Sequence, residues 1–395
     1  MTTLAPGDEA ELAEAVGAAA AKRTPLAVEG GGSRRGLGRP TQTAATLTTA
    51  GMTGVTLYEP AELVISARAG TPLDTVETLL ANQNQRLAFE PIDHRAILAS
   101  AGTPTIGAVA AVNLSGPRRI QVGAARDSLI GVRAVTGRGE VVKSGGRVMK
   151  NVTGYDLVKF MAGSYGTLGV FSEVTFKVAP IPETETTIVI GGLDDETAVK
   201  ALSAALASPW SVTGGAHLPP FEHEMARTLI RIEGFDASVK ERRDKLVAAL
   251  VSFGRAETVS SSASSAIWKA VRDLAALGAP KRAVVWRISV RPSDGPTLVA
   301  ELRRTLPCRV LYDWGGGLVW IAANDTGDSA GAMVVREAVT RVGGHATLVR
   351  APDHVRLAVE VFEPQPPPVM DLSRRIKATF DPEGIFNPGR MYAGV

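Results

Sequence analysis

The residues of this chain best placed to do chemistry are glycines, gathered in three dense runs. The first is Glu29-Gly-Gly-Gly-Ser-Arg-Arg-Gly-Leu-Gly38, which follows a short strand-like run at 25–28. A strand entering such a loop exposes consecutive backbone N–H groups in a concave nest suited to a phosphate or pyrophosphate. Arg34 and Arg35 can add positive charge. The run is neither G-x-G-x-x-G nor a P-loop, because no Gly-Lys-Ser/Thr follows it. The second run, 102–116, is rich in small residues, and a helix with so little side-chain bulk lets a large planar body approach the backbone. Thr103, Thr105, Asn113 and Ser115 offer polar groups for its edges. The third, Gly154, Gly163, Gly166 and Gly169, lies within 145–180 between a short helix and a strand. Glycine at this density costs backbone entropy, so it implies sharp turns or a body lying close against the chain. Each run also has a bland explanation: a surface turn, helix–sheet packing, or a tight corner.

Periodicity supplies the elements that position these runs. Helices are expected at 9–22, from Thr71 (N-cap) and Pro72 (first turn) to about 82, at 106–112 and at 156–162. Strands are expected at 44–47, 54–58, 63–67 and 170–178, with a hairpin at 130–136 and 140–142 around Gly137-Arg138-Gly139. Arg126 and Asp127 form a candidate ion pair before that hairpin. A linker at 181–185 precedes a change of pattern. Beyond it come a strand at 187–190, a helix at 195–206, a strand at 228–233 and a helix at 236–253. A serine-rich loop (260–265) and a helix near 267–277 follow. The next part, 283–349, follows the β-α-β-β-α-β order of a ferredoxin-like unit. A proline-rich linker at 363–368 leads to a helix at 370–380 and a tail running to Arg390.

Composition narrows the function. The chain has 395 residues, 45% hydrophobic and 21% charged, enough for two or three domains with their own cores. Lys plus Arg (43) barely exceeds Asp plus Glu (40), without a basic tail, so nucleic acid is not an expected partner. The single cysteine, Cys308, excludes an internal disulfide and a Cys-rich metal site. No secretory signal is expected from the acidic N-terminus, and the apolar window 96–114 is too interrupted to span a membrane. The histidines are scattered. His217 and His223 approach a ligand spacing, but Pro219-Pro220 intervenes and a third ligand is missing, so they read as loop histidines and no metal is expected.

Taken together, Gly30-Gly-Gly-Ser33, Thr105-Ile-Gly107 with Asn113 and Gly116, Gly154-Tyr-Asp with Gly163-Ser-x-Gly-Thr-Leu-Gly169, and the tail Phe380-Asp-Pro…Phe-Asn-Pro-Gly-Arg390 resemble the vanillyl-alcohol-oxidase (PCMH-type) FAD-binding family. More narrowly, the run 147–170 resembles the FAD-binding subunits of bacterial glycolate oxidase complexes. The resemblance implies an α+β fold: a two-subdomain FAD-binding domain at 1–182, a ferredoxin-like cap at 186–362, and a C-terminal segment, 369–395, returning to the first domain. It implies that Gly30, Gly31, Gly32 and Ser33 hold the FAD pyrophosphate. Thr105, Ile106 and Gly107, helped by Asn113 and Gly116, would line the isoalloxazine and ribityl region. Gly163, Gly166, Gly169 and Val170 would lie on the adenine side, Tyr155 and Asp156 would organise their loop, and Arg390 would close the site. Some relatives attach FAD through a histidine in the first loop. Ser33 stands there in this chain, so non-covalent FAD is expected.

The catalytic relatives carry a histidine-rich run that is missing here, and a glutamate where this chain has Tyr165. The catalytic residues are therefore left unassigned. The implied activity is oxidation of a 2-hydroxy acid, glycolate to glyoxylate, beside a sister flavoprotein subunit and an iron–sulfur subunit. The implied setting is cytoplasmic or peripheral at the inner membrane face. Two alternatives stay open. One is a self-sufficient FAD oxidoreductase using Tyr155, His94 or Arg119 near the substrate; the other is a scaffold whose flavin site has decayed.

Overall fold

The computed structural model describes residues 2–146, 156–221, 224–278, 280–324 and 326–395. Gly154, Tyr155 and His223 lie outside the described residues.

The N-terminal half has two lobes. In the first, helix Glu9–Ala21 starts where the Asp8 carboxylate accepts hydrogen bonds from the Ala10 and Glu11 amides. It buries Leu12, Val16 and Ala19. They pack in one cluster with a three-stranded parallel sheet ordered Thr2–Leu4, Ala45–Thr48, Leu26–Glu29. The second lobe is a five-stranded antiparallel sheet ordered Val55–Glu59, Val64–Arg68, Val170–Lys177, Leu129–Val135, Val141–Gly145. Helices Leu73–Ala81 and Ile106–Val112 pack Val76, Leu80, Ile106 and Val109 into its core. Two local expectations are corrected. Pro72, not Thr71, is the N-cap of the first of these helices. The Thr71 hydroxyl instead donates to the Arg68 carbonyl and accepts from Gly54 N. Asp127 does not pair with Arg126; its carboxylate accepts from Ala124 N at 2.7 Å.

The cap is an eight-stranded antiparallel sheet. It consists of two ferredoxin-like units, where the sequence revealed one. The first has strands Thr184–Gly191, Val212–Leu218, Arg227–Gly234 and Ala256–Ser260; the second has Val284–Val290, Cys308–Asp313, Leu318–Ala323 and Gly344–Arg350. Numbered within a unit, the strands lie in the order 4-1-3-2 and then 2-3-1-4, so the units join through their second strands at His217 and Tyr312. His217 is thus a fully buried strand residue, not a loop histidine. Its Nδ1 lies 3.0 Å from the Thr228 hydroxyl, and its Nε2 lies 3.4 Å from the carboxylate of Asp195, which also accepts from the Tyr312 hydroxyl.

Buried charge joins the cap to the N-terminal lobes. Arg231 of the cap donates two hydrogen bonds to Glu90, at 2.8 and 2.9 Å. Arg86 and Arg118 reach back to Glu233 of the cap. Burial alone would raise the Glu233 carboxyl, but Arg231, Arg118 and Arg86 outweigh it and hold the carboxyl down at about 2. Trp314 crosses the same boundary, its indole N–H donating to the Gly116 carbonyl at 3.1 Å. The adjacent Asp313 accepts from Trp314 N at 2.7 Å, and full burial pushes its carboxyl up to about 7.

The C-terminal helix, Pro367–Phe380, begins inside the expected linker because proline is tolerated in a first helical turn. Buried Lys377 then donates to the Thr167 carbonyl (2.7 Å), Asp381 (2.7 Å) and the Phe386 carbonyl (2.8 Å). Asp381 also accepts from the Ile385 and Phe386 amides. This knot delivers the tail beside strand Leu26–Glu29, where Leu26 N donates to the Ile385 carbonyl at 2.7 Å.

Two tests follow from these buried charges. Lys377→Met leaves Asp381 buried without its cation, and urea denaturation is expected to show a loss of about 3–5 kcal/mol. Asp313 titrates higher in the folded chain than its ordinary 3.8, so the unfolded chain loses that proton first. The stability this group adds is full below about pH 4 and lost as pH rises toward 7. Asp313→Asn keeps the acceptor but removes this pH dependence, so the variant gains roughly 3–4 kcal/mol on the native chain between pH 4 and 8 in paired denaturation series.

Candidate functional site

The three glycine runs meet around one cavity. The first run crosses the second at very short range. A Cβ on Gly31 would stand 2.3 Å from the Thr103 carbonyl oxygen, and one on Gly30 would stand 2.2 Å from the Thr105 hydroxyl. Only glycine permits that approach. The helix Ile106–Val112 turns Gly107, Ala108, Ala111 and Val112 toward the opening. Its own foot is set by Gly107, whose Cβ would lie 2.7 Å from the Ala69 carbonyl oxygen. The third run contributes Tyr165, Gly166, Gly169, Val170 and Phe171. The tail closes the ring with Asn387 and Arg390.

Asn387 fastens the walls together. Its side-chain carbonyl accepts from Val28 N at 2.9 Å, and its amide donates to the Tyr165 carbonyl at 2.9 Å. It therefore links the strand before the first glycine run to the turn in the third. Arg390 donates to the Leu37 carbonyl at 2.8 Å and so pins the tail to the first run.

The cavity is electropositive. Arg34 and Arg390 both line it, and burial lowers both guanidinium groups to about 10. The Nε of each is buried without a partner among the described residues, as is the Thr105 hydroxyl. Arg35 contributes less charge, because its guanidinium closes on Glu29 through two hydrogen bonds.

Nine of the sixteen expected site residues line this cavity: Gly30, Gly31, Gly32, Ser33, Gly107, Gly166, Gly169, Val170 and Arg390. The others stand elsewhere. Thr105 supports Gly30 from behind, and Ile106 points into the core. Asn113 ends the small-residue helix in a left-handed turn and accepts from Arg126 N. Gly116 fits against Glu90 and accepts the Trp314 N–H. Gly163 donates through its amide to Ala110, one layer back. Asp156 caps helix Leu157–Met161 through Lys159 N. Tyr155 falls outside the described residues. Sequence reasoning missed Ala108, Ala111 and Asn387. The alanines carried a signal, since they share a helical face with Gly107. His94 is buried off the cavity, with burial and Arg34 lowering its imidazole to about 3. Among the described residues no group of three or more His, Cys, Asp and Glu side chains gathers to hold a metal ion.

The FAD binding domain family model matches residues 2–145, and the C-terminal domain model of FAD linked oxidases matches 361–391. The glycolate oxidase subunit GlcE of Escherichia coli K12 is 35% identical over 382 residues, covering 97% of each chain. The chain belongs to the GlcE family. Its cofactor is accordingly FAD, and it is an FAD-linked oxidoreductase of a family that acts on hydroxy acids. The glycolate oxidase subunit GlcD of Bacillus subtilis is 28% identical over 206 residues, covering 52% of this chain and 42% of its own. The fold is that of a 4-ethylphenol oxidase from Gulosibacter chungangensis (TM-score 0.73, 14% identity, covering 99% of this chain and 89% of that one). An alkyldihydroxyacetonephosphate synthase shares it (TM-score 0.71, 18% identity, covering 98% and 75%).

Ala108→Leu adds bulk to the cavity wall while keeping a good helix former. FAD titration followed by visible absorbance is expected to show binding roughly 5–150-fold weaker, with far-ultraviolet circular dichroism unchanged.

Proposed function

We propose that this chain is the FAD-holding subunit of a glycolate oxidase complex that converts glycolate to glyoxylate. The observation that carries this is the match to GlcE along 97% of both chains. The cavity fits the cofactor chemically: its backbone amides and two buried arginines with unpartnered Nε groups suit a pyrophosphate, and its small-residue helix suits a flat ring. Gly30, Gly31, Gly32 and Ser33 hold the phosphates with Arg34 and Arg390. Gly107, Ala108 and Ala111 lie against the ring system, and Gly166, Gly169 and Val170 form the facing wall. Thr105, Ile106, Asn113, Gly116, Tyr155, Asp156 and Gly163 act from behind by fixing the loops. Domain limits of 1–182, 186–362 and 369–395 suit these roles.

FAD supplies a two-electron acceptor for the pair released when glycolate becomes glyoxylate. Ser33 offers no histidine-type linkage, so the cofactor is held non-covalently. His94 favours the subunit reading over a self-sufficient enzyme. It stands off the cavity, and a base whose conjugate acid titrates near 3 accepts protons poorly at neutral pH. The partners are then a sister flavoprotein subunit and an iron–sulfur subunit. Among the described residues no helix is long and apolar enough to cross a membrane. A cytoplasmic site of action, reaching the membrane through those partners, agrees with that.

Co-expression with the two partner subunits tests the proposal. The isolated chain should carry FAD released by denaturation, yet reduce a dye with glycolate only in the complex. Turnover by the isolated chain at the rate of the complex overturns the subunit role. Arg34→Met and Arg390→Met should each weaken FAD binding by roughly 10–150-fold, measured by fluorescence titration.

A further inference from the structure

Most arginines at the domain boundary are closed by acids or carbonyls; two, both half-buried, are not. Arg119, from the flavin side, and Arg287, on cap strand Val284–Val290, both lie over the Trp314 ring, at 4.5 and 5.1 Å from its centroid. Neither side chain makes a hydrogen bond or ion pair among the described residues. Burial, and after it the like charge of Arg119, lower the Arg287 guanidinium to about 10. Cation–π contact at about 0.5–2 kcal/mol each does not neutralise two half-buried cations.

The ring that both guanidinium groups approach is held firmly. Trp314 has a left-handed backbone (φ 52°), which a bulky residue adopts only when its surroundings enforce it. The Asp313 carboxylate takes its amide, and Gly116 takes its indole N–H. Asp313 is the acid beside Arg287, but its acceptor faces Trp314 N and burial favours its neutral form. Asp127 is the acid near Arg119, but its carboxylate accepts from Ala124 N and makes no ion pair with the arginine, so the charge of the pair is only partly answered. The pair also adjoins the flavin cavity. Tyr165 lines that cavity and is an electrostatic neighbour of Arg287. Tyr165 and Val112, both on the cavity wall, pack in the same apolar cluster as Trp314.

We propose that Arg119, Trp314 and Arg287 form a carboxylate-binding site, built half from each domain, that holds the substrate acid at the Tyr165 end of the flavin cavity. A carboxylate presents two oxygens to two guanidinium groups, and charge-assisted hydrogen bonds of this kind are the strong class. The identification of the acid as glycolate rests on the function proposed above.

The test uses the full chain and intrinsic tryptophan fluorescence, with Trp314→Phe identifying the Trp314 signal. Glycolate should change that signal, whereas glycolamide, its uncharged amide, should not. Arg287→Met and Arg119→Gln should each weaken glycolate binding at least about tenfold, and Arg287→Lys should recover part of the loss. Unchanged glycolate affinity in both Arg287→Met and Arg119→Gln, with circular dichroism intact, overturns the proposal. So does chloride that displaces glycolate at equal concentration. Flavin content is read on the same samples and separates the two ideas. A chain without flavin whose glycolate binding still needs both arginines upholds this site and sinks only the cofactor assignment.

Discussion

The closeness of the first two glycine runs controls the rest of the structure. Gly31 lies so near Thr103 that a Cβ would stand 2.3 Å from a carbonyl oxygen, and Gly102 meets the backbone of Gly32 and Ser33 just as tightly. This crossing forces strand Leu26–Glu29 and helix Ile106–Val112 to share one cavity wall. Substituting any side chain there would push the two loops apart. The bland and functional explanations of glycine density therefore hold together: one face of each loop is packed against another backbone, and that packing leaves the other face bare. The entropy cost of glycine is offset only if both faces matter.

Charge sorts the molecule in a complementary way. Where the domains meet, Arg231, Arg118 and Arg86 are answered by Glu90 and Glu233, so burial there makes a rigid joint. In the flavin cavity, Arg34 and Arg390 meet only hydroxyl and carbonyl oxygens, with no acid at ion-pair distance among the described residues. A buried ion pair contributes little net stability, but a buried cation without an acid costs several kcal/mol. Open cations therefore persist where a ligand offsets their cost. The knot of Lys377 and Asp381 belongs to the first class, although it serves the second, because it carries Asn387 and Arg390 to the cavity.

Much of the flavin side was legible in the sequence, because its signals are local. Helix Ile106–Val112 and strand Val170–Lys177 follow directly from periodicity. The first cap unit was legible only in part: two of its strands and both helices were, the other two strands were not. Strand Val212–Leu218 carries Gly214 and Gly215, which weaken any strand pattern, yet Gly214 is small because the Trp268 ring lies 2.9 Å from where its Cβ would be. Strand Ala256–Ser260 is a short, largely exposed edge strand, and its polar residues read as a loop. Both strands are fixed by tertiary partners far along the chain. The duplication is visible only when they are in place.

The same distinction explains the site residues that moved off the wall. Thr105, Asn113 and Gly163 sit in the right loops, but a motif records which segments gather and not which side of each segment faces inward. Facing is decided by contacts a motif does not contain. Asn113 turns to Arg126 N, and Gly163 turns to Ala110, because each closes a helix end or loop whose amides need partners. Conversely, Asn387 reads in sequence as an ordinary turn residue before proline. Its importance comes from reaching Val28 and Tyr165, both far away in the chain. One side-chain amide with a donor end and an acceptor end can bridge two such loops, and the acceptor-only carboxylate of Asp cannot. The choice of Asn over Asp at 387 is thus dictated by the cavity rather than by the turn.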